Sequence, residues 1–146
     1  KRFENIRRSI LCQPRESASL QKALCDMRRR MQQHHSRVNK PGFDLKHGRG
    51  GLIDVEFLCQ YLVLRFSQQN PALTEYRSNL EIISELKASG IIPSEVAEIL
   101  SRTLRLYLAK DNELKLRRRQ AHLPAETFRA ERDAIEALWR KYLEPN

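Results

Sequence analysis

Leu52-Ile53-Asp54-Val55-Glu56-Phe57-Leu58-Cys59-Gln60-Tyr61-Leu62-Val63-Leu64-Arg65-Phe66 is the stretch on which the fold turns. Its apolar residues do not make a stripe. Ile53, Val55, Phe57, Leu58, Cys59, Tyr61, Leu62, Val63 and Leu64 surround the axis, which marks a helix buried on most sides. The pattern predicts a central helix over about 52–69, ended by Asn70-Pro71. Other helices must cover it, so the expected class is all-α, a helical bundle of about six helices in a single domain over 1–146.

The covering elements can be read on either side. A helix over about 3–12 places Phe3, Ile6 and Ile10 on one side and stops near Pro14. A second, capped by Ser17 or Ser19, carries Leu20, Leu24, Met27 and Met31 at helical spacing, with Arg28, Arg29 and Arg30 on its outer face. It ends through His34 and His35 before Pro41-Gly42. A fourth helix over about 77–89 turns Leu80, Ile83 and Leu86 inward and has Gly90 as its C′ residue. A fifth, with Ser94 as cap, runs toward Gln120 with room for a break at Asp111-Asn112. The last covers about 125–143 with Phe128, Ile135, Leu138, Trp139 and Tyr142. No convincing strand is expected.

Composition narrows the class further. The 146 residues are 40% hydrophobic and 31% charged, with no apolar run long enough to span a membrane. Cys12, Cys25 and Cys59 are odd in number and lack a CxxC pair, which argues against a disulfide framework or zinc ribbon and for reduced thiols in the cytoplasm. The chain opens at Lys1, as an excised part of something longer would. His34, His35, His47 and His122 lack ligand spacing, so no metal site is expected. The net charge of +9 comes with basic runs at 28–30 and 115–119, but with 7% aromatics and no DNA-binding motif. These runs read as solvated faces or a partner surface, with no specific nucleic acid.

The chemistry-bearing residues cluster at the head of the central helix. Lys46, His47, Gly48, Arg49, Gly50 and Gly51 lead into it, and Asp54, Glu56, Gln60 and Arg65 sit within it. A buried carboxylate needs a partner. Asp54 and Arg65 share one face; Glu56 and Gln60 share another, so the two acids form no dyad. Two readings stand side by side. In one, free N–H groups at the helix start, with Lys46 and Arg49, face a phosphate or a partner. In the other, this is a glycine-rich turn whose Asp54 caps its own helix.

The run from Asp44 to Phe57, continuing through Gln60 to Leu64, closely resembles the glutamine synthetase adenylyltransferase family. That family carries a Lys-x-Gly-x-Gly-Gly-aliphatic-x-Asp/Glu-aliphatic-Glu-Phe signature shortly after its nucleotidyltransferase domain. The resemblance extends to Gln13-Pro14-Arg15, Pro71-Ala72-Leu73-Thr74 and Leu138-Trp139-Arg140-Lys141-Tyr142-Leu143. It implies the C-terminal helical domain of the adenylylating half of a bifunctional, bacterial cytoplasmic enzyme. Such an enzyme moves AMP from ATP to a tyrosine of glutamine synthetase, under the control of the PII signalling protein and glutamine.

Catalysis in that family uses a Gly-Ser turn and an Asp-x-Asp pair holding Mg²⁺, and neither occurs in these 146 residues. The chain is therefore expected to hold no catalytic residue and to be inactive alone, with ATP and Mg²⁺ bound mainly by the preceding nucleotidyltransferase domain. Lys46, Gly48, Arg49, Gly50, Gly51, Asp54 and Glu56 are the nucleotide- or domain-interface candidates, and Phe57 is expected in the core. On this reading Lys46 and Arg49 face the triphosphate, Gly50 and Gly51 permit close backbone approach, and Glu56 orients Lys46 or a basic group of the neighbouring domain. The alternatives are the helical domain of a PII-uridylyltransferase-like enzyme and a non-enzymatic basic helical adaptor.

Overall fold

A computed structural model describes residues 2–12, 16–35, 41–75 and 78–145, the side chain of His35 excepted. The expected stop at Pro14, the Gln13-Pro14-Arg15 match and the expected start at Arg77 lie outside these. The described residues form α1 (Arg2–Leu11), α2 (Ser17–His35), α3 (Leu52–Phe66), α4 (Asn79–Ala88), α5 (Ser94–Leu116) and α6 (Arg129–Leu143), with a 3₁₀ turn at Pro71–Thr74. The all-α bundle read from the sequence is the observed class.

α3 is the central rod, packed against α2, α4, α5 and α6 together. Val55, Leu58, Cys59 and Leu62 are fully buried, and the core formed around them continues through Ile83, Leu86, Leu100, Leu104 and Ile135. The helix stops at Phe66 rather than near residue 69. The Asn70 side chain then accepts the Ala72 N–H at 3.2 Å and starts the 3₁₀ turn with Pro71.

The ends of α4 follow the local chemistry. Ser78 Oγ accepts the Glu81 N–H at 3.3 Å, and Gly90, at φ +77°, lets Ile91 N–H return to the Leu86 carbonyl. α5 corrects two expectations. Pro93, not Ser94, stands at the N-cap, and the helix runs unbroken through Asp111-Asn112. Asp111 is tolerated because it is buried against Lys115, one turn on, at 2.9 Å. α6 begins at Arg129, later than expected, because Phe128 takes a left-handed φ of 57°. Its ring thereby meets Tyr107 at 5.5 Å.

Two further differences matter for the site. In α2, Arg28 is 3% exposed and Met27 is 50% exposed, so Arg28 belongs to the inner face and not to the outer one. In α1, Phe3, Ile6 and Ile10 all point outward. Polar contacts attach that helix instead: Cys12 Sγ donates to Ser67 O at 3.3 Å, and Ser67 Oγ donates to Leu11 O at 2.5 Å. A two-residue antiparallel ladder, β1 (Phe43–Asp44) with β2 (His122–Leu123), was not expected. Elements this short carry no periodicity, yet this one ties the chain ahead of α3 to the α5–α6 connection. Among the described residues no helix is long and apolar enough to cross a membrane.

Candidate functional site

Asp44 begins the glycine loop. Its Oδ1 accepts the Lys46 and His47 N–H groups, each at 3.0 Å, and its carbonyl accepts Gly48 N–H at 2.8 Å. The loop then folds onto itself. Gly51 N–H donates to Gly48 O at 3.0 Å, Leu52 N–H to Leu45 O at 2.8 Å, and Ile53 N–H to Lys46 O at 3.1 Å. These are first-turn donors of α3, and the loop's own carbonyls consume them. The phosphate cradle that one of the two sequence readings offered here therefore has three of its four N–H groups already taken.

The Asp54 side chain ties down the residue just ahead of the N-cap. Its Oδ2 accepts Gly50 N–H at 2.7 Å, and its Oδ1 meets Arg28 Nε of α2. The same guanidinium donates through Nη2 to His47 O at 2.7 Å. The partner of the buried carboxylate is Arg28, not Arg65, whose guanidinium lies 5.0 Å over the Phe66 ring. Asp54 therefore does not cap a first-turn N–H of its own helix, as one of the two sequence readings had it; it holds Gly50, ahead of the N-cap Gly51, and fastens α2 to the loop.

The glycines are explained by the same closeness. Gly50 sits at φ +73°, and a Cβ there would lie 2.5 Å from the Arg132 carbonyl of α6. A Cβ on Gly51 would lie 2.6 Å from the Leu45 carbonyl. From below, Tyr107 of α5 donates its hydroxyl to Gly50 O at 2.6 Å, and burial first, with the Glu131 charge second, pushes that hydroxyl's pKa well up. Arg132 lies 4.1 Å over the Phe43 ring and donates to Ala125 O at 2.6 Å. The loop is therefore clamped between α2, α5 and α6.

The charged side chains of the loop divide between two sides. Lys46 reaches toward α5, 3.9 Å from Asp111, which also pairs with Lys115 at 2.9 Å. Glu56 lies on this side, its carboxyl pushed up by burial and then by the Asp111 charge. The expected orientation of Lys46 by Glu56 is not what forms: the ion pair of Lys46 is with Asp111. Arg49 is exposed on the other side, at the edge of a cleft shared with α2 and α6. Gly48, Gly50 and Gly51 are backbone parts of the clamp, and Phe57 packs 6.3 Å from Trp139, partly buried against the core.

Sequence reasoning missed Arg28, Asp111 and the bond from Tyr107 to the loop. A signal was present for each. Arg28 lies one turn beyond Leu24, and Tyr107 and Asp111 continue the Thr103 phase of the inner face of α5.

Comparison with known proteins agrees with the motif. A curated bifunctional glutamine synthetase adenylyltransferase/adenylyl-removing enzyme of Mannheimia haemolytica is 37% identical over 141 residues, 97% of this chain. The chain belongs to the glutamine synthetase adenylyltransferase family. Residues 19–140 also match the family model described as GlnD PII-uridylyltransferase, a domain found in such enzymes. The chain spans 15% of the length of the Mannheimia relative. The residues matched by that model, 19–140, span the clamp from Arg28 to Arg132.

Proposed function

We propose that this helical domain supports AMP transfer from ATP to a tyrosine of glutamine synthetase within a bifunctional, cytoplasmic bacterial adenylyltransferase. The observation that carries the reading is the likeness to such an enzyme over 97% of the chain. The geometry adds a role for the motif. A loop fixed at four points presents Lys46 and Arg49 from a rigid base, which suits groups that must meet charge developing in a neighbouring domain. Among the described residues no group of three His, Cys, Asp or Glu side chains could hold a metal ion. Following the family resemblance, we assign Mg²⁺ and the triphosphate to a preceding nucleotidyltransferase domain, and route no step through them here. The PII signalling protein and glutamine act on the parent enzyme at sites we leave to its other parts.

The test uses the full-length enzyme, labelled ATP and glutamine synthetase. Lys46→Ala and Arg49→Ala should each lower the adenylylation rate by about tenfold, the scale of losing one charge-assisted contact to the reacting phosphates. Unchanged rate and unchanged KM for ATP in both variants would remove the role. Because the matching family model carries the uridylyltransferase description, the same preparation is offered labelled UTP and PII. Transfer of UMP instead of AMP would replace the target while keeping the class.

A further inference from the structure

The second half of α5 and the residues just beyond it concentrate the charge of the chain. Residues 102–119 hold seven Lys and Arg against Asp111 and Glu113, a net +5 of the chain's +9. Both acids are matched within the patch. Asp111 is buried between Lys46 and Lys115, and Glu113 is shared by Lys110 at 3.2 Å and Arg117 at 3.8 Å. Arg102, Arg105, Arg118 and Arg119 are exposed and make no ion pair among the described residues, so the positive excess is not cancelled inside the chain. The helix dipole accounts for Lys115 and Arg117 in and after the last turn. It does not reach Arg102 and Arg105, about three to four turns upstream. Arg118 stands at a left-handed φ of 54°, where Arg119 N–H returns to Leu114 O at 2.8 Å. Glycine would hold that turn without strain, and the exposed Arg118 side chain is not required by packing. Leu106, Leu108 and Leu116 are exposed among these cations, Leu116 at 86%.

Unpaired arginines with leucines between them match a protein surface that sets carboxylates around apolar side chains. Nucleic acid fits this face less well. Tyr107, the only aromatic residue in 102–119, is buried, so no ring is left for a base to stack on, and leucines gain nothing from phosphates. The face is also continuous with the glycine loop, because Asp111 pairs with both Lys46 of the loop and Lys115 of the patch. A protein lying along the second half of α5 therefore stands beside the residue assigned to the reacting phosphates. We propose that this face docks the protein substrate, glutamine synthetase, through an acidic patch on that enzyme that also bears apolar residues. The inference rests on the adenylyltransferase reading and adds to it the surface that receives the substrate.

The test measures initial rates of AMP transfer by the full-length enzyme, varying glutamine synthetase and ATP separately. Replacing Arg102 and Arg105 together by Glu should raise the KM for glutamine synthetase about tenfold, with kcat and the KM for ATP unchanged. Added salt should raise the same KM in the parent enzyme, and less in that variant, because the attraction is screened. Leu116→Ala should raise it about fivefold through lost apolar contact. Arg118→Gly separates docking from folding: it relieves the left-handed backbone, so the urea midpoint should rise while the KM for glutamine synthetase also rises. Lys22→Glu, at an exposed position of α2, is the control and should leave that KM as it was. Variants with the parent's KM for glutamine synthetase, or a KM for ATP that moves in step with it, overturn the docking face while the transferase reading stands. A parent enzyme that transfers no AMP to glutamine synthetase overturns both. Variants that lose affinity for a mixed-sequence single-stranded oligonucleotide, with the KM for glutamine synthetase unchanged, would give the face to nucleic acid instead.

Discussion

Replacing Arg28 by Met removes a guanidinium of 3% exposure and leaves Asp54, at 6%, as a buried carboxylate with the Gly50 N–H as its remaining partner. The His47 carbonyl also loses its 2.7 Å donor. Removing one member of a buried ion pair costs about 3–5 kcal/mol. Two effects reduce that figure here: the unsatisfied Nη1 of Arg28 disappears, and the Met side chain fills much of the space with apolar surface. The expected net loss is about 3 kcal/mol. Asp54→Asn keeps an acceptor for Gly50 N–H but strands the guanidinium, so it should also destabilise. The double variant should be more stable than the sum of the two by about 1–3 kcal/mol, because neither charge is then left alone. Urea unfolding followed by circular dichroism and by Trp139 emission measures all three. Arg29→Met serves as the reference, since that residue pairs with Asp26 at the surface, where such a pair is worth about 0–1 kcal/mol. If Arg28→Met costs no more than Arg29→Met, or the two core substitutions simply add, the clamp does not hold the loop.

Three other outcomes follow from the same geometry. Gly50→Ala must strain a positive φ and push a Cβ against the Arg132 carbonyl, whereas Gly90→Ala, at φ +77° with nothing within 4 Å, pays for strain alone. Gly90→Ala should cost about 1 kcal/mol and Gly50→Ala more than about 3 kcal/mol by urea unfolding; equal costs would refute the contact with α6. Cys59, whose thiol is pushed up to about 12 by burial and then by Glu56, should resist iodoacetamide in the native chain at pH 8 and react on unfolding. Labelling of Cys59 as fast as that of Cys12 under native conditions would contradict its burial. Glu56 has a raised pKa in the folded chain, so the native state binds its proton more tightly than the unfolded one, and stability falls as pH rises from the ordinary glutamate range through the raised value. Glu56→Gln should flatten that fall and raise the urea midpoint at pH 7; a lower midpoint would show that the carboxylate is held by an attraction instead.

The central helix was legible because nothing else explains apolar residues on every side of Leu52–Phe66, and the class followed from the need to cover them. The glycine loop was legible as a special place through its composition, and through a resemblance that the 37% identity then matched. Its local closure was also within reach, since Asp44 and Asp54 bind N–H groups only two to four residues away. Local spacing decides such features, because they depend on residues within one or two turns.

The partners across the bundle were not. Whether Met27 or Arg28 faces inward depends on a rotation of α2 by a fraction of a turn, and that rotation is set by a carboxylate 26 residues away. Tyr107 reaches Gly50 across 57 positions, and β1 finds β2 with two residues and no pattern. The cleft under Arg49 exists only because α2 and α6 stand on either side of the loop. The sequence by itself determined which segment must be buried and which must bend. Tertiary packing alone decided which charges meet, since burial turns a polar residue from a surface ornament into a group that must find its counterpart wherever the fold brings one.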